Sequence, residues 1–270
     1  METPEIISFT KTWHSEPYPF ISPSRPELSA AGKNIVVTGG GTGIGRAVSV
    51  AFAKAGAKSV IILGRRAEKL KEAAAVISGA AVEGNTEVLF KAADITDKDQ
   101  VVRAFQSVVD KVGKIDVLVS NAAGPVIPGV LSQISPSDLD ASFTSTVLTS
   151  LNVLQAFLPM AGPEPVLIST STSMAHWLPT PGMGIYTIVK AAALKLFDVA
   201  SRENPSLRIV NVQPGWVATD MNGHQKEAPD SRTYQVDPSI LPNYFHLRGL
   251  ADILSCSGPP GTVLSLAGFG

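Results

Sequence analysis

The stretch Thr38-Gly39-Gly40-Gly41-Thr42-Gly43-Ile44-Gly45 decides the fold. It follows an apolar run at 34–38 and leads into a helical pattern near 44–55. Glycines in such a turn let the backbone approach a pyrophosphate at the N-terminus of the helix. A glycine-rich turn is common by itself, but this position after the first strand of a βαβ unit indicates a dinucleotide site. A P-loop is excluded, because Arg46-Ala47 stand where it requires lysine followed by serine or threonine.

Short apolar runs alternate with helical patterns on both sides of this turn. The strand candidates lie at 34–38, 59–63, 87–92, 116–120, 166–169 and 208–213. The helical candidates lie near 44–55, 67–77, 97–112, 137–158 and 184–203. Most of the strand candidates are nearly continuous apolar runs, as expected for parallel strands covered on both faces. The pattern predicts an α/β fold with a doubly wound parallel sheet of the Rossmann type in a single domain.

Both ends of the chain depart from this alternation. Residues 1–32 contain five prolines among polar residues and predict an extended N-terminal arm, lying on the domain or on a partner subunit. Residues 33–270 are predicted to form the dinucleotide-binding and catalytic domain. The regular pattern fades after Gly215, and a substrate loop is expected near 220–247. Residues 262–266 form at best a short seventh strand.

The composition narrows the classes of function. With 17% charged residues and a net charge of −1, the chain lacks the clustered basic surface that nucleic acid normally requires. No run approaches the ~20 apolar residues that span a bilayer, so we expect no membrane partner. The single cysteine, Cys256, fits a reducing compartment, and a cytoplasmic location is predicted. The histidines are too scattered to predict a metal site.

Tyr186 and Lys190 lie one helical turn apart in the last helical candidate. A free tyrosine has a pKa near ~10, too high for ready proton exchange at neutral pH. A cation held nearby favours the phenolate and is expected to lower the pKa of Tyr186. Such pairs are common by chance, but this one follows the fifth strand, behind a glycine-containing loop. We therefore predict Tyr186 as a general acid or base.

Taken in order, these motifs resemble the short-chain dehydrogenase/reductase family. The glycine turn has the family spacing Thr-Gly-x-x-x-Gly-x-Gly, and Asn121-Ala122-Ala123 stands where the family has Asn-Ala-Gly. The segment 214–219 is similar to the family's Pro-Gly-x-Val-x-Thr, and Asp94 follows the third strand where the family places an Asp near the adenine. Residues 26–33 further resemble fungal members often found in secondary metabolism. The resemblance covers roughly residues 10–247.

This resemblance implies a nicotinamide cofactor and a reaction at a carbonyl or alcohol carbon. The implied cofactor contacts are Gly39, Thr42, Gly43, Ile44, Gly45, Arg65, Asp94, Asn121, Tyr186, Lys190, Val217 and Thr219. The implied catalytic residues are Ser171, Thr172, Tyr186 and Lys190. In the family a hydroxyl after the fifth strand polarises the substrate carbonyl. Matching 166–176 to fungal relatives places it at Ser171-Thr172, whereas the commonest spacing to the tyrosine points to Ser173, and we favour the pair.

One position in the fourth helical candidate departs from the family. Members often have an Asn 13 residues before the Leu-Pro that ends this helix, where this chain has Thr146. That Asn shapes the helix so that a water relays protons to the lysine. Either the Thr146 hydroxyl holds the water in its place, or the relay is impaired.

The end of the second strand candidate indicates which cofactor is used. Members that prefer NAD place an Asp there to bind both ribose hydroxyls, but this chain continues with Arg65 and Arg66. A guanidinium suits a 2′-phosphate in charge and geometry, so NADP(H) is predicted. The expected activity is hydride transfer between NADP(H) and a ketone or secondary alcohol, a small-molecule substrate. The alternative is a non-redox cyclase, isomerase or binding protein on the same scaffold. A homo-oligomer is compatible with either.

Overall fold

The computed structural model describes residues 18–82, 85–175, 181–222, 235–236 and 263–267. A seven-stranded sheet, all of it parallel, forms the centre of this part of the chain. Its strands are β1 (Asn34–Thr38), β2 (Ser59–Gly64), β3 (Glu87–Ala92), β4 (Ile115–Ser120), β5 (Ala161–Thr170), β6 (Arg208–Gln213) and β9 (Val263–Ala267). The short strands β7 (Trp216–Val217) and β8 (Gln235–Val236) pair separately. The order β3-β2-β1-β4-β5-β6-β9 confirms the predicted doubly wound fold.

The helices lie between successive strands, as the sequence predicts. In the described residues they are α1 (Gly43–Lys54), α2 (Ala67–Ala80), α3 (Lys98–Val112), α4 (Pro136–Phe143), α5 (Thr149–Met160) and α6 (Gly184–Glu203). Local chemistry sets several of their ends. The Asp97 carboxylate caps α3 by accepting the backbone N–H groups of Asp99 and Gln100, and Ser135 caps α4 ahead of Pro136. A π-helical turn, Thr144–Leu148, interrupts the continuous helix predicted over 137–158.

Two hydrophobic cores cover the two faces of the sheet. Neighbouring residues of a strand point to opposite faces, so Val37 packs into one core and Val36 into the other. The first core lies under α1 and α2 and includes Phe52. The second lies under α3, α5 and α6 and includes Phe105 and Phe157. This double coverage explains why the central strands are continuous apolar runs in the sequence.

The described part of the N-terminal arm differs from the extended form that the sequence predicts. Residues 18–32, here called the N-terminal strap, contain the 3-10 turns Pro19–Ile21 and Pro26–Leu28. Each turn begins with a proline, whose fixed backbone angle suits the first position of a helix. The side chains of Ile21 and Leu28 are buried, so the strap lies on the domain itself.

One predicted region lies largely outside the described residues, and another is observed with a small shift. Of the substrate loop expected near 220–247, the structure describes 220–222 and 235–236. The short seventh strand expected at 262–266 is observed one residue later, as β9. It pairs with β6 in parallel and extends the sheet.

Candidate active site

The glycine turn after β1 leads directly into the first turn of α1. Gly43 adopts φ +53°, a left-handed conformation that favours glycine. A Cβ added at Gly45 would lie 2.4 Å from the carbonyl oxygen of Gly39, so the turn has no room for a side chain there. Thr42 precedes α1 without a side-chain capping bond in the described structure. The backbone therefore forms the surface at this positively polarised helix end, which fits a pyrophosphate.

A hydrogen-bond network joins the carboxyl ends of β1, β4 and β5. The Thr38 hydroxyl accepts the N–H groups of Asn121 (3.0 Å) and Ala122 (3.1 Å). The Asn121 side chain donates to the Thr38 carbonyl (3.1 Å) and accepts the Thr170 hydroxyl (3.1 Å). Since β1 and β4 are neighbours whose following helices lie on opposite faces, this is the switch point at which doubly wound sheets bind ligands.

Lys190 is buried on α6 and connects this network to the helix. Its Nζ donates a hydrogen bond of 2.9 Å to the carbonyl oxygen of Thr170, whose hydroxyl bonds to Asn121. The same Nζ lies 5.9 Å from the centre of the Tyr186 ring, one helical turn away. Burial disfavours the charged ammonium and lowers the pKa of Lys190 to about 8. At neutral pH the Lys190 side chain is therefore still mainly the charged ammonium.

The environment of Tyr186 corrects the expectation that its pKa is lowered. Burial raises the pKa of Tyr186, because the phenolate loses more solvation than the neutral phenol. A hydrogen bond with the Thr172 side chain acts in the opposite direction and is the smaller effect. At neutral pH the group is thus a protonated phenol, in contact with a hydroxyl and above a buried ammonium.

The three candidate hydroxyls after β5 occupy different environments. Thr172 contacts Tyr186, as the family's substrate-polarising hydroxyl is expected to do. The Ser171 hydroxyl is buried and has no hydrogen-bond partner among the described residues. Ser173 begins a 3-10 turn and is exposed. His176, which guided the matching of this segment, lies outside the described residues.

The remaining predicted cofactor residues converge on the same edge of the sheet. Arg65 is exposed beyond β2. Hydrogen bonds from Thr96 lower the pKa of Asp94, and the Arg65 charge lowers it further. Thr219 lies beside the glycine turn, because a Cβ added at Gly43 would be 3.1 Å from its methyl group. Val217 is buried and packs with Ile44. The structure therefore brings the predicted pyrophosphate, adenine and nicotinamide contacts to one edge.

Two other classes of site find no support in the described part of the chain. None of its helices combines the length and apolarity that a membrane span requires. None of its His, Cys, Asp and Glu side chains gather into a group that could hold a metal ion.

Residues 33–230 match the family model described as short chain dehydrogenase. The chain belongs to this family. Its curated relatives include the short chain dehydrogenase pigC of Monascus ruber, 33% identical over 228 residues, which cover 83% of this chain and 74% of pigC. A short chain dehydrogenase/reductase of Claviceps purpurea is 29% identical over 88% of this chain and 79% of its own length. The resemblance to fungal members is thus confirmed.

Solved structures agree with this assignment. A short chain dehydrogenase from Burkholderia cenocepacia in complex with NADP superposes with a TM-score of 0.75 at 25% identity, covering 88% of this chain and 98% of that one. The MalC reductase/Diels-Alderase of Malbranchea aurantiaca has a TM-score of 0.75 at 23% identity and covers 90% of this chain and 98% of its own. At that identity the likeness to MalC concerns the fold alone.

The π-helical turn occupies the place where short chain dehydrogenases often carry an Asn. Thr146 is buried in this turn, and its carbonyl oxygen accepts the hydroxyls of Thr149 (3.0 Å) and Ser150 (2.7 Å). The Ser145 carbonyl accepts the N–H of Gly124 (3.1 Å), which ties the turn to the segment after β4. The helix is therefore distorted here without the Asn. The water relay at Thr146 stays a prediction.

Sequence reasoning did not single out two threonines that hold the site together. Thr38 belongs to the glycine turn, and its hydroxyl aligns the segment after β4. Thr170 ends β5 and connects Asn121 to Lys190. Their position at the last residue of a buried strand is the signal that identifies them, because such side chains lie at the edge where ligands bind.

The contact between Thr172 and Tyr186 leads to a test of the catalytic hydroxyl. We expect Thr172→Val, which keeps the shape and removes the hydroxyl, to lower kcat by about 10²-fold, the scale of one lost oxyanion donor. Ser173→Ala, one residue further along, should stay within about twofold of wild type. Steady-state kinetics of both purified variants decide whether Thr172 or Ser173 supplies the catalytic hydroxyl. A large loss in Ser173→Ala with a near-normal Thr172→Val would reverse the assignment.

Proposed function

We propose that this short chain dehydrogenase is an NADP(H)-dependent oxidoreductase that interconverts a ketone and a secondary alcohol in a fungal-type biosynthetic pathway. The observation that carries the proposal is the cluster of Thr172, Tyr186 and Lys190, which Thr170 and Asn121 join to the end of β1. A polarising hydroxyl, a protonated phenol and a buried ammonium are the groups that carbonyl reduction requires from the protein.

Each of these side chains has a separate task. Thr172 holds the substrate oxygen by its hydroxyl, next to the phenol that it already contacts. Tyr186 donates its proton to that oxygen during reduction, and its raised pKa keeps the proton available at neutral pH. Lys190 stabilises the phenolate that this transfer leaves, and it is fixed for that task by the Thr170 carbonyl. The nicotinamide, when bound, supplies or accepts the hydride.

The surroundings of Arg65 support NADP(H) over NAD(H). Arg65 extends into solvent beyond the carboxyl end of β2, and this strand ends in Gly64 rather than in an acid. The neighbouring Arg66 is held by an exposed ion pair with Asp220, at 3.9 Å. A guanidinium at this edge attracts a 2′-phosphate, whereas an acid would repel it. The Burkholderia relative, in its complex with NADP, is consistent with this choice.

Replacing Arg65 tests the cofactor preference. We expect wild type to bind NADPH more tightly than NADH, and Arg65→Ala to narrow that difference by about 1–3 kcal/mol, the scale of a charge-assisted hydrogen bond. Arg66→Ala is the matched control, since it removes the same charge one residue further along. Isothermal titration with both cofactors measures the effect. The role of Arg65 would be contradicted if wild type bound NADPH and NADH equally tightly. It would also be contradicted if Arg65→Ala and Arg66→Ala narrowed the difference between the two affinities equally.

The activity itself is tested with a panel of ketones. Purified protein should consume NADPH, followed by absorbance, in step with the formation of a secondary alcohol followed by mass spectrometry. A non-redox cyclase or isomerase would instead form product with no change in NADPH absorbance. That outcome would replace the proposed function by its alternative. The homo-oligomer, the substrate loop near 220–247 and the cytoplasmic location stay predictions.

A further inference from the structure

The N-terminal strap is anchored at the end of α1 that lies far from the site. The N–H of Ala30 donates to the carbonyl of Ala55 (2.9 Å), and Ala31 forms a β-bridge with Ala57. Leu28 and Ala30 are both buried beside this anchor. The C-terminal end of the strap is thereby fixed to the domain, just ahead of β1.

The other end of the strap lies against the cofactor edge. Ile21 is 1% exposed and packs together with Val217, Ile44 and Ala47, and Tyr18 lies against the same cluster. Ile44 and Ala47 belong to the first turns of α1, and Val217 follows β6. Since α1 has 12 residues and is about 18 Å long, the strap runs along most of its length.

Internal contacts give the strap a defined shape of its own. The Arg25 guanidinium lies 4.5 Å above the centre of the Phe20 ring and donates to the Phe20 carbonyl. Tyr18 stacks on Phe20 with ring centres 6.4 Å apart. Prolines begin both 3-10 turns and restrict the unfolded chain as well. Less conformational entropy is therefore lost when the strap positions Ile21 than in a strap without these prolines.

Ile21 lies behind two parts of the predicted cofactor site that are far apart in the sequence. Ile44 is in the turn predicted to face the pyrophosphate, and Val217 is in the segment 214–219, which is also predicted to contact the cofactor. Thr219, two residues further, lies against Gly43 of the same turn. A single buried side chain thus packs against both segments. Interiors of proteins are close-packed, so removing it lets the two segments shift relative to each other.

We propose that the first turn of the strap, residues 18–22, is part of the cofactor site, with Ile21 as the positioning residue that holds the 217–219 segment against the first turn of α1. This turn and the cofactor then stabilise one another, because both hold the same two segments. The coupling is reciprocal, so loosening the turn at Ile21 weakens cofactor binding, and bound cofactor protects the turn. The inference rests on the proposed NADP(H) function.

A pair of matched truncations tests the role of Ile21. Ile21→Ala and Leu28→Ala each shorten an apolar strap side chain that is 1% exposed, and both should lower the melting temperature. We expect the Kd for NADPH, measured by calorimetry, to rise at least about fivefold in Ile21→Ala and to stay within about twofold in Leu28→Ala. In steady-state kinetics the KM for NADPH should rise much more than kcat falls. Ile21→Val, a milder change, should give an intermediate Kd and serves where Ile21→Ala does not fold.

Hydrogen exchange provides a readout that does not depend on turnover. Within the strap, the Ile21 N–H donates to the carbonyl oxygen of Tyr18 (3.0 Å), and the Ser22 N–H donates to that of Pro19 (3.1 Å). NADPH should slow the exchange of these amides in wild type and in Leu28→Ala, and should slow it less in Ile21→Ala. If wild type binds NADPH and both truncations bind it equally well, the inference about Ile21 is contradicted while the proposed function stands. If wild type binds no NADPH, the proposed function fails and the inference with it.

Discussion

Replacing Tyr186 by phenylalanine should lower kcat by about 10²–10⁴-fold, the contribution usual for general acid catalysis. The variant keeps the ring above Lys190 and removes the one proton that reaches the substrate oxygen. NADPH affinity should change little, because the phenol bonds to Thr172 and its proposed task is proton transfer to the substrate rather than cofactor binding. Stopped-flow NADPH oxidation, with calorimetric NADPH binding to the same sample, separates the chemical step from cofactor binding.

Two outcomes of this experiment would contradict the proposed mechanism. A phenylalanine variant that still oxidises NADPH at the wild-type rate would remove Tyr186 from the proton transfer. Product formation that persists in the variant without NADPH oxidation would favour the cyclase or isomerase alternative. A loss of activity accompanied by a lower melting temperature and weaker NADPH binding would indicate structural damage rather than a lost proton.

The sheet could be predicted closely because its central strands are buried on both faces. β1 and β6 begin and end where predicted, and nearly all of their residues are buried, so their sequences are mostly apolar. β3 also has its predicted bounds, although it lies at the sheet edge and its residues are exposed or half-buried. β5 begins five residues before its predicted start. Its first residues, Ala161–Pro165, are polar, proline-rich or small and pair with β4 through an irregular register, which periodicity does not reveal.

The π-helical turn and the strap could not be predicted, because each depends on contacts that local patterns do not encode. Residues 144–150 look like ordinary helix, but the Thr149 and Ser150 hydroxyls bond back to the Thr146 carbonyl and favour a distorted turn. The strap has the proline content of an extended arm. It folds because Ile21 packs against Ile44, Ala47 and Val217, which are distant in sequence, and because Leu28 is buried as well.

The pKa of Tyr186 shows a similar limit within the active site. The four-residue spacing to Lys190 is visible in the sequence and predicts the proximity that the structure confirms. The direction of the pKa shift depends on how far the phenol is buried, and tertiary packing decides that. The same burial acts on Lys190, whose charge is thereby costly in the folded state. A variant of Lys190 can therefore measure both the stability lost by burying its charge and its contribution to activity.

Replacing Lys190 by methionine should separate these two effects. Activity should fall by about 10²-fold or more, because the phenolate loses the cation that stabilises it and the cofactor loses a predicted contact. The pKa of Lys190 is about 8 in the folded chain and 10.5 in its ordinary state, so below pH 8 the folded and unfolded chains both carry the charge. The fold then bears the full cost of burying it. As the pH rises from 8 towards 10.5 the folded chain releases the proton first, and wild type gains stability relative to the variant.

We therefore expect the free energy of unfolding of wild type, minus that of Lys190→Met, to increase by up to about 3 kcal/mol between pH 7.5 and 10.5. Urea titrations of both proteins across this range measure the difference, and other titrating groups cancel because both proteins share them. Lys195→Met is the matched control on the same helix, where the lysine is exposed and paired with Asp198 at 2.8 Å. The difference for Lys195→Met should stay flat. A flat difference for Lys190→Met as well would mean that burial of the ammonium costs nothing, and that a polar partner such as the Thr170 carbonyl compensates it fully.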